Sequence, residues 1–375
     1  MHPYFEDRER YERHIDPTFS SPSGKNRVDL FTRVRVGSLF DLSPRASAKV
    51  EYQYAHDAFW TQNLNGSGDA SDLSLAYLQY DAKQAVFTGG RQKIDLGEQR
   101  LIGSAEWLNL ARSFDAARVQ SGQWDIWDGR LGVANNKPET ARVGAITHVD
   151  RTWGTTSLIT KHDLGATAGI DIQTLDHFMS LKAGSVRVDL EGAVQTGTNN
   201  GRDQRAWAWH AKATRTLLPK TTISVTADAA SGGGDANTSR TFDNLYPSNH
   251  NAYGLSDMTG WKNMNHVGVA LESKPCSNWT FRASGHAYSL RDASDGWYAA
   301  TGGVNARDGG KFIDPTGLSG REIGRELDLE AIYSPMKNAT LSAGVAMFNA
   351  GNFVQNVGGA SNQMTFGYVQ FVIRF

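Results

Sequence analysis

No stretch of this chain approaches the ~18 consecutive apolar residues that a membrane-spanning helix needs, and the mean hydropathy is −0.45. Helical spanning is excluded. A barrel is not, because a barrel strand shows lipid only every second residue. There is one cysteine, Cys276, in a Lys-Pro-Cys-Ser-Asn turn. With one thiol, no internal disulfide and no cysteine metal cluster can form. Proline is scarce, 10 residues in 375, which leaves room for many paired strands. The net charge is −1, without the basic excess of a nucleic-acid binder, so no nucleic-acid partner is expected. Catalytic signatures are missing as well: there is no GxSxG, no HExxH and no Walker loop, and no helical pattern follows Ser231–Asp235 (SGGGD). Ser284 and His286 on one strand face are the one loose nucleophile–base pair. The chain is read as a non-enzyme with no catalytic residue, cofactor or metal site. No apolar leader follows Met1, which runs directly into HPYFEDRERYERH. Either the protein is cytosolic or this is a mature chain with an added start Met, and the second is favoured because a spanning barrel must be exported.

What is present is glycine (39 residues) and aromatics (Trp 10, Tyr 12, Phe 16), the composition of many paired strands with aromatic girdles. The last twelve residues, Met364–Phe375, alternate in period two. Val369, Phe371, Ile373 and Phe375 share one face, Tyr368, Gln370 and Arg374 the other, and Val372 is the one break. The strand ends on an aromatic, as an assembly-signal strand of an outer-membrane barrel does. A closed barrel needs this strand to pair with the first one.

The same alternation recurs along the chain. Val28, Leu30, Val34 and Val36 oppose Asp29, Arg33 and Arg35, while Val186, Val188, Leu190 and Val194 oppose Arg187, Asp189 and Glu191. Taking Thr167–Lys182 as one strand, and counting a weak first strand at Tyr4–His14, the pattern gives about 18 strands, an even number. Connections alternate short (81–84, 121–123, 217–220, 273–278, 334–338) and long (56–72, 93–112, 231–265, 291–321, 350–363). A sandwich has no reason to sort its loops so. The expected fold is therefore all-β: a single transmembrane antiparallel β-barrel with short periplasmic turns and long extracellular loops. One domain is expected over 1–375, with a weak first strand and loop over 1–26 and the closing strand over 364–375.

Gly90–Gln120 reads GRQKIDLGEQRLIGSAEWLNLARSFDAARVQ. The order Gly-Arg-Gln, QRLIGS, Trp-Leu-Asn, Arg-Ser-Phe-Asp resembles the alginate-export outer-membrane porin family. Three further stretches agree: FDNLYPSNHNAY (242–253) with Trp261-Lys-Asn, RDQRAW (202–207) after Asp189-Leu-Glu-Gly-Ala, and Gly324-Arg-Glu-Leu-Asp-Leu. The resemblance implies an 18-stranded barrel and, from the family's best-known member, a polyuronate path lined by arginines.

In an alternating strand the polar face looks inward. On that rule the inward cations are Arg33, Arg35, Arg91, Arg118, Arg130, Arg187, Lys212, Arg282 and Arg374, set among inward acids such as Glu51, Asp189, Glu191 and Glu326. Arginine holds a carboxylate bidentately, so Arg91, Arg112 and Arg118, beside a ~20-residue loop able to enter the pore, are the first constriction candidates. Arg130, Arg33, Arg35, Arg187 and Arg282 follow. Such residues also pair across strands as solvated ladders. Trp124, Trp127, Trp153, Trp207, Trp209, Trp261, Trp279 and Trp297 are candidates for the interface belts, with Trp297 alternatively packed in its loop. The expected function is a passive porin for anionic solutes, such as uronate-type oligo- or polysaccharides or small organic anions. Lipid, lipopolysaccharide and the outer-membrane assembly machinery would be its other partners. The alternatives are a general-diffusion or structural barrel, and a soluble all-β carbohydrate-binding protein.

Overall fold

The computed structural model describes residues 1–20, 26–58, 70–132, 140–163, 165, 169–250, 252–359 and 361–375. Eighteen long strands follow one another: β1 (His2–Ile15), β2 (Arg27–Ser43), β3 (Ala46–Asp57), β4 (Ala70–Asp81), β5 (Val86–Gln92), β6 (Phe114–Ser121), β7 (Trp124–Leu131), β8 (Arg142–Asp150) and β9 (Gly154–Asp163). The second half comprises β10 (Ile170–Ala183), β11 (Val186–Asn199), β12 (Arg202–Leu218), β13 (Thr221–Ala230), β14 (Met264–Cys276), β15 (Trp279–Leu290), β16 (Glu322–Met336), β17 (Ala339–Ala350) and β18 (Gln363–Arg374). Each pairs antiparallel with the next, and β1 pairs with both β2 and β18, so the sheet closes. The weak first strand is fully formed, and Thr167–Lys182 yields one strand. Positions 133–134 and 167–168 of the expected strands lie outside the described residues.

Closure is carried to the last residue. Phe5 and Phe375 exchange both backbone hydrogen bonds at 2.9 Å. On the side of the termini every connection has two to four residues, whereas the opposite side carries long loops up to 231–263. One connection departs from the expected sorting. β11 and β12 are joined on the long-loop side by Asn200-Gly201 alone, both at positive φ (53° and 76°), as a twisted two-residue hairpin requires.

Register assigns every side chain to one wall, because directly opposed residues share a face. Val369, Phe371 and Ile373 face outward with Leu341, Val345, Leu327 and Leu329. Glu6, Arg8, Arg10 and Glu12 face inward with Arg35, Arg33, Phe31 and Asp29. Trp124, Trp153, Trp209 and Trp279 are exposed on the outside, three of them beside the short turns. Trp127, Trp261 and Trp297 are not belt residues but fully buried. The reason is that the apolar core lies inside the barrel, where loops 93–113, 231–263 and 291–321 fold inward. Ile94, Leu101, Ile102, Phe242, Trp261, Trp297 and Phe312 pack there against inward Phe114, Trp127, Val143 and Phe348. The wall facing these loops must be apolar, so the polar-inside rule fails along β6–β8, where Phe114, Trp127 and Val143 point inward.

Candidate functional site

Loop 93–113 is held as a rigid bar. Leu96 N–H donates to Ile102 O (3.0 Å), Arg112 N–H to Ser104 O (2.6 Å) and Ser104 N–H to Asp95 Oδ1 (2.6 Å). Gly97, Gln99 and Ala105 turn the chain at positive φ. The loop pairs with the inward loop 231–263: Gly103 N–H donates to Tyr246 O (2.9 Å), and Ser248 N–H to Gln99 O (2.8 Å). Arg112 rivets the two loops, donating Nη1 to Gly103 O, Tyr246 O and Pro247 O at 2.6–2.9 Å.

The ends of this bar reach opposite walls. At one end Glu106 Oε2 lies 2.8 Å from Arg35 Nη1 and 3.3 Å from Arg33 Nη2, and its Oε1 lies 2.5 Å from Lys93 Nζ. Burial works against this charge, but Arg35, Arg33 and Lys93 outweigh it and lower the Glu106 carboxyl to about 2. The neighbouring carbonyls are taken by the same wall. Arg8 donates to Glu106 O, Trp107 O and Leu108 O, Arg10 to Trp107 O, and Arg33 to Glu106 O and Leu108 O, all at 2.6–3.3 Å. The Trp107 ring stacks on His250 at 3.6 Å and lies 3.9 Å from the Arg10 guanidinium. At the other end Arg100 donates to Glu191 on β11 (2.8 Å) and meets His210 on β12 (2.9 Å). β2 and β11 stand nine strands apart in a ring of eighteen, so loop 93–113 crosses the full lumen.

Beside this crossbar, along β11–β16, lies a cavity of about 550 Å³. Its wall carries Arg187, Lys212 and Arg282 among Glu272 and Glu330, with hydroxyls of Thr214, Thr222 and Ser224 between them. Above it a buried chain joins wall and loop. Asp228 accepts from His210 (2.6 Å) and His266 (2.8 Å), and His266 Nε2 meets His286 Nδ1 (2.9 Å). Tyr288 Oη donates to Tyr253 O (2.8 Å), and Ser256 N–H and Oγ donate to Glu326 (2.9 and 2.7 Å), fixing the inward loop on this wall. Ser284 donates to Asp328 at 3.1 Å, not to His286, so these two form no nucleophile–base pair.

The sequence-derived candidates separate. Arg33 and Arg35 face inward but are sealed beneath the crossbar. Arg118 faces inward near the short turns and is held bidentately by Asp125 at 2.8 and 2.5 Å. Arg187, bound to Asp189, and Arg282, between Glu272 and Glu330 at 2.8 Å each, face the cavity. Arg112 is a loop rivet. Arg91 and Arg130 are corrections: both face outward. Arg91, opposite Ala76, shares its wall with Phe87, opposite Tyr80, and bonds Asp115 (2.7 Å) and Asp72 (2.7 Å) at the loop end of the barrel. Arg130 opposes Asp115 on one side and Arg142 on the other. Strand parity alone carried the signal, because Phe87 and Arg91 are four residues apart and so point the same way. Arg8, Arg10, Arg100 and Glu106 went unrecognised. On β1 both faces are polar (Glu6, Arg8, Arg10 against Asp7, Glu9, Arg13), so parity could not choose between them.

A closed 18-stranded barrel, apolar outside and crossed inside by a folded loop, is an outer-membrane barrel of the porin type. The family model for alginate export matches residues 5–135 and 140–368, and the chain belongs to that family. Its place is the bacterial outer membrane, in contact with lipid, and its family and fold are those of channel barrels rather than enzymes. No curated protein matches the sequence. Among solved structures, Acinetobacter baumannii OccAB1 is similar at TM-score 0.67 and 10% identity, over 100% of this chain and 96% of that one. Pseudomonas aeruginosa OccK5 (OpdH) is similar at 0.63 and 12%, over 100% and 97%. Pseudomonas aeruginosa OccK2 (OpdF), solved in complex with glucuronate, is similar at 0.65 and 10%, over 100% and 97%. At these identities the likeness is one of fold.

Proposed function

We propose that the protein is a passive outer-membrane channel for carboxylate-bearing solutes of the uronate class. The observation that carries this reading is the inward arginine wall of β1–β2. Arg8, Arg10, Arg33 and Arg35 stand on adjacent strands and engage a loop carboxylate and loop carbonyls. Guanidinium groups in that arrangement hold carboxylates and oxygen-rich solutes. Arg187, Lys212 and Arg282 continue the cationic path in the cavity, beside hydroxyls suited to a polyhydroxylated solute. Family membership and the glucuronate complex of a barrel of similar fold favour the same solute class. The general-diffusion alternative draws on one observation: Glu272 and Glu330 flank Arg282, so the cavity is mixed in sign.

Planar-bilayer conductance of the detergent-folded chain under a salt gradient, then with added oligouronates, tests the proposal. Anion-selective current blocked by oligouronate, and weakened in Arg35→Gln, is the expected result. An unselective, unblocked current would refute it in favour of general diffusion.

A further inference from the structure

From the contacts of Glu106 we infer that the segment Glu106–Asn109 is a built-in pseudo-ligand: it fills a carboxylate-binding site made by Arg33, Arg35 and Lys93, and an entering carboxylate displaces Glu106 to release that end of the crossbar. The inference rests on the channel reading and names the site within it.

The segment has the chemistry of an oxygen-rich carboxylate. Its one carboxylate meets three cations at 2.5–3.3 Å, and the next oxygens in line, Glu106 O, Trp107 O and Leu108 O, are offered to Arg8, Arg10 and Arg33. Arg8 donates to these carbonyls and to Asn109 Oδ1, so its hydrogen bonds go to dipoles of the loop. The fit is incomplete. Arg8 Nε, Arg33 Nε and Arg35 Nη2 are buried without a hydrogen-bond partner, in residues only 2–3% exposed. Donors left over in this way are what a better acceptor would take up.

The two ends of the crossbar differ in a way that suits release at one of them. The Glu106 side chain is 41% exposed, with Oε1 buried against Lys93, whereas Arg100 and Glu191 at the far end are 6% and 4% exposed. Water and solute therefore have a way to the Glu106 end, while the Arg100 end stays fixed and acts as the hinge. The wall is not purely cationic, since Glu6 also bonds Arg33 (2.8 Å) and Glu51 lies 3.6 Å from Arg35. Those two acids sit on the strands and remain when the loop leaves, so the vacated site loses one carboxylate only. A solute carboxylate restores the balance.

The test compares three full-length, detergent-folded chains in planar bilayers: wild type, Glu106→Gln and Asp203→Asn. The last removes the same charge from an exposed ion pair with Arg205 on the outer face of β12, away from both crossbar and cavity. Heat-modifiable migration first confirms that each barrel is folded. D-glucuronate is the probe and glucose the neutral control. With its internal competitor gone, Glu106→Gln should bind glucuronate about tenfold more tightly than wild type, while Asp203→Asn should shift binding no more than about twofold. Glucose should block none of the three. Equal gains in the two variants would mean a general field effect and would overturn the pseudo-ligand. An anion-selective, glucuronate-blocked wild type with an unchanged Glu106→Gln would overturn the inference and leave the channel reading intact. A wild type with neither anion preference nor block would overturn the channel reading itself, and the inference with it.

Discussion

Replacing Arg100 by Met should free the β11 end of the crossbar without opening the barrel. Arg100 is 5% exposed and makes three polar contacts: Glu98 (2.8 Å), Glu191 (2.8 Å) and His210 (2.9 Å). Met fills most of the stem volume but leaves Glu191 buried without its cation. Breaking a buried ion pair by deleting one partner costs about 3–5 kcal/mol. At about 1.4 kcal/mol per factor of ten, local opening of the loop becomes roughly 10² to 4 × 10³ times more frequent. The barrel hydrogen bonds of β11 and β12 do not depend on this side chain, so heat-modifiable migration should be retained. Hydrogen exchange at Gly103 and Ser248, whose amides bridge the two inward loops, reports the opening directly. Protection there should fall by roughly two to three and a half decades, with single-channel noise rising in parallel. At the exposed end, Glu106→Gln should lower protection at most about fivefold, since partly exposed ion pairs are worth ~1 kcal/mol or less. A loss of less than tenfold for Arg100→Met, or equal effects of the two substitutions, would refute the claim that Arg100 is the fixed anchor.

Three further outcomes follow from the geometry. Arg91→Ala should leave reversal potential and uronate block unchanged and alter stability by no more than ~1 kcal/mol, because its guanidinium faces outward; a change in selectivity would refute that placement. The Glu106 carboxyl is lowered in the folded protein, so its contribution to the latch is present above the ordinary glutamate range and is lost only as pH falls through about 2. Conductance should therefore be flat from pH 7 to pH 5, and a step within that window would assign control to another group. Gly90→Ala should lower the urea unfolding midpoint by the equivalent of about 1–3 kcal/mol, since φ is +119° and an added Cβ would lie 2.3 Å from Ala76 O; an unchanged midpoint would refute the strain.

Strand count, closure and the sorting of short and long connections were legible in the sequence, because a strand wall repeats every two residues and a turn declares itself by length and by residue type. The lipid face was legible for the same reason: Val369, Phe371 and Ile373 must meet hydrocarbon whatever lies inside. The sequence also marked loop 93–113 as long enough to enter the pore.

What the loop does there was decided only in three dimensions. Glu106 and Arg35 are 71 residues apart, and Arg100 and His210 are 110 apart, so no local pattern links them. The polar-inside rule assumes a water-filled lumen, and it failed where loops fill the lumen with Trp261, Trp297 and Phe242, turning the inner wall at Phe114 and Trp127 apolar. The same filling seals Arg33 and Arg35 and leaves Arg187 and Arg282 lining open space. Sequence alone thus determined the lipid face of strands with an apolar outer row, such as β18, since that face has one neighbour everywhere, but not that of β1, where both faces are polar, nor the wall of Arg91 and Arg130. The inner face has a different neighbour at each height, and only the tertiary structure supplies it.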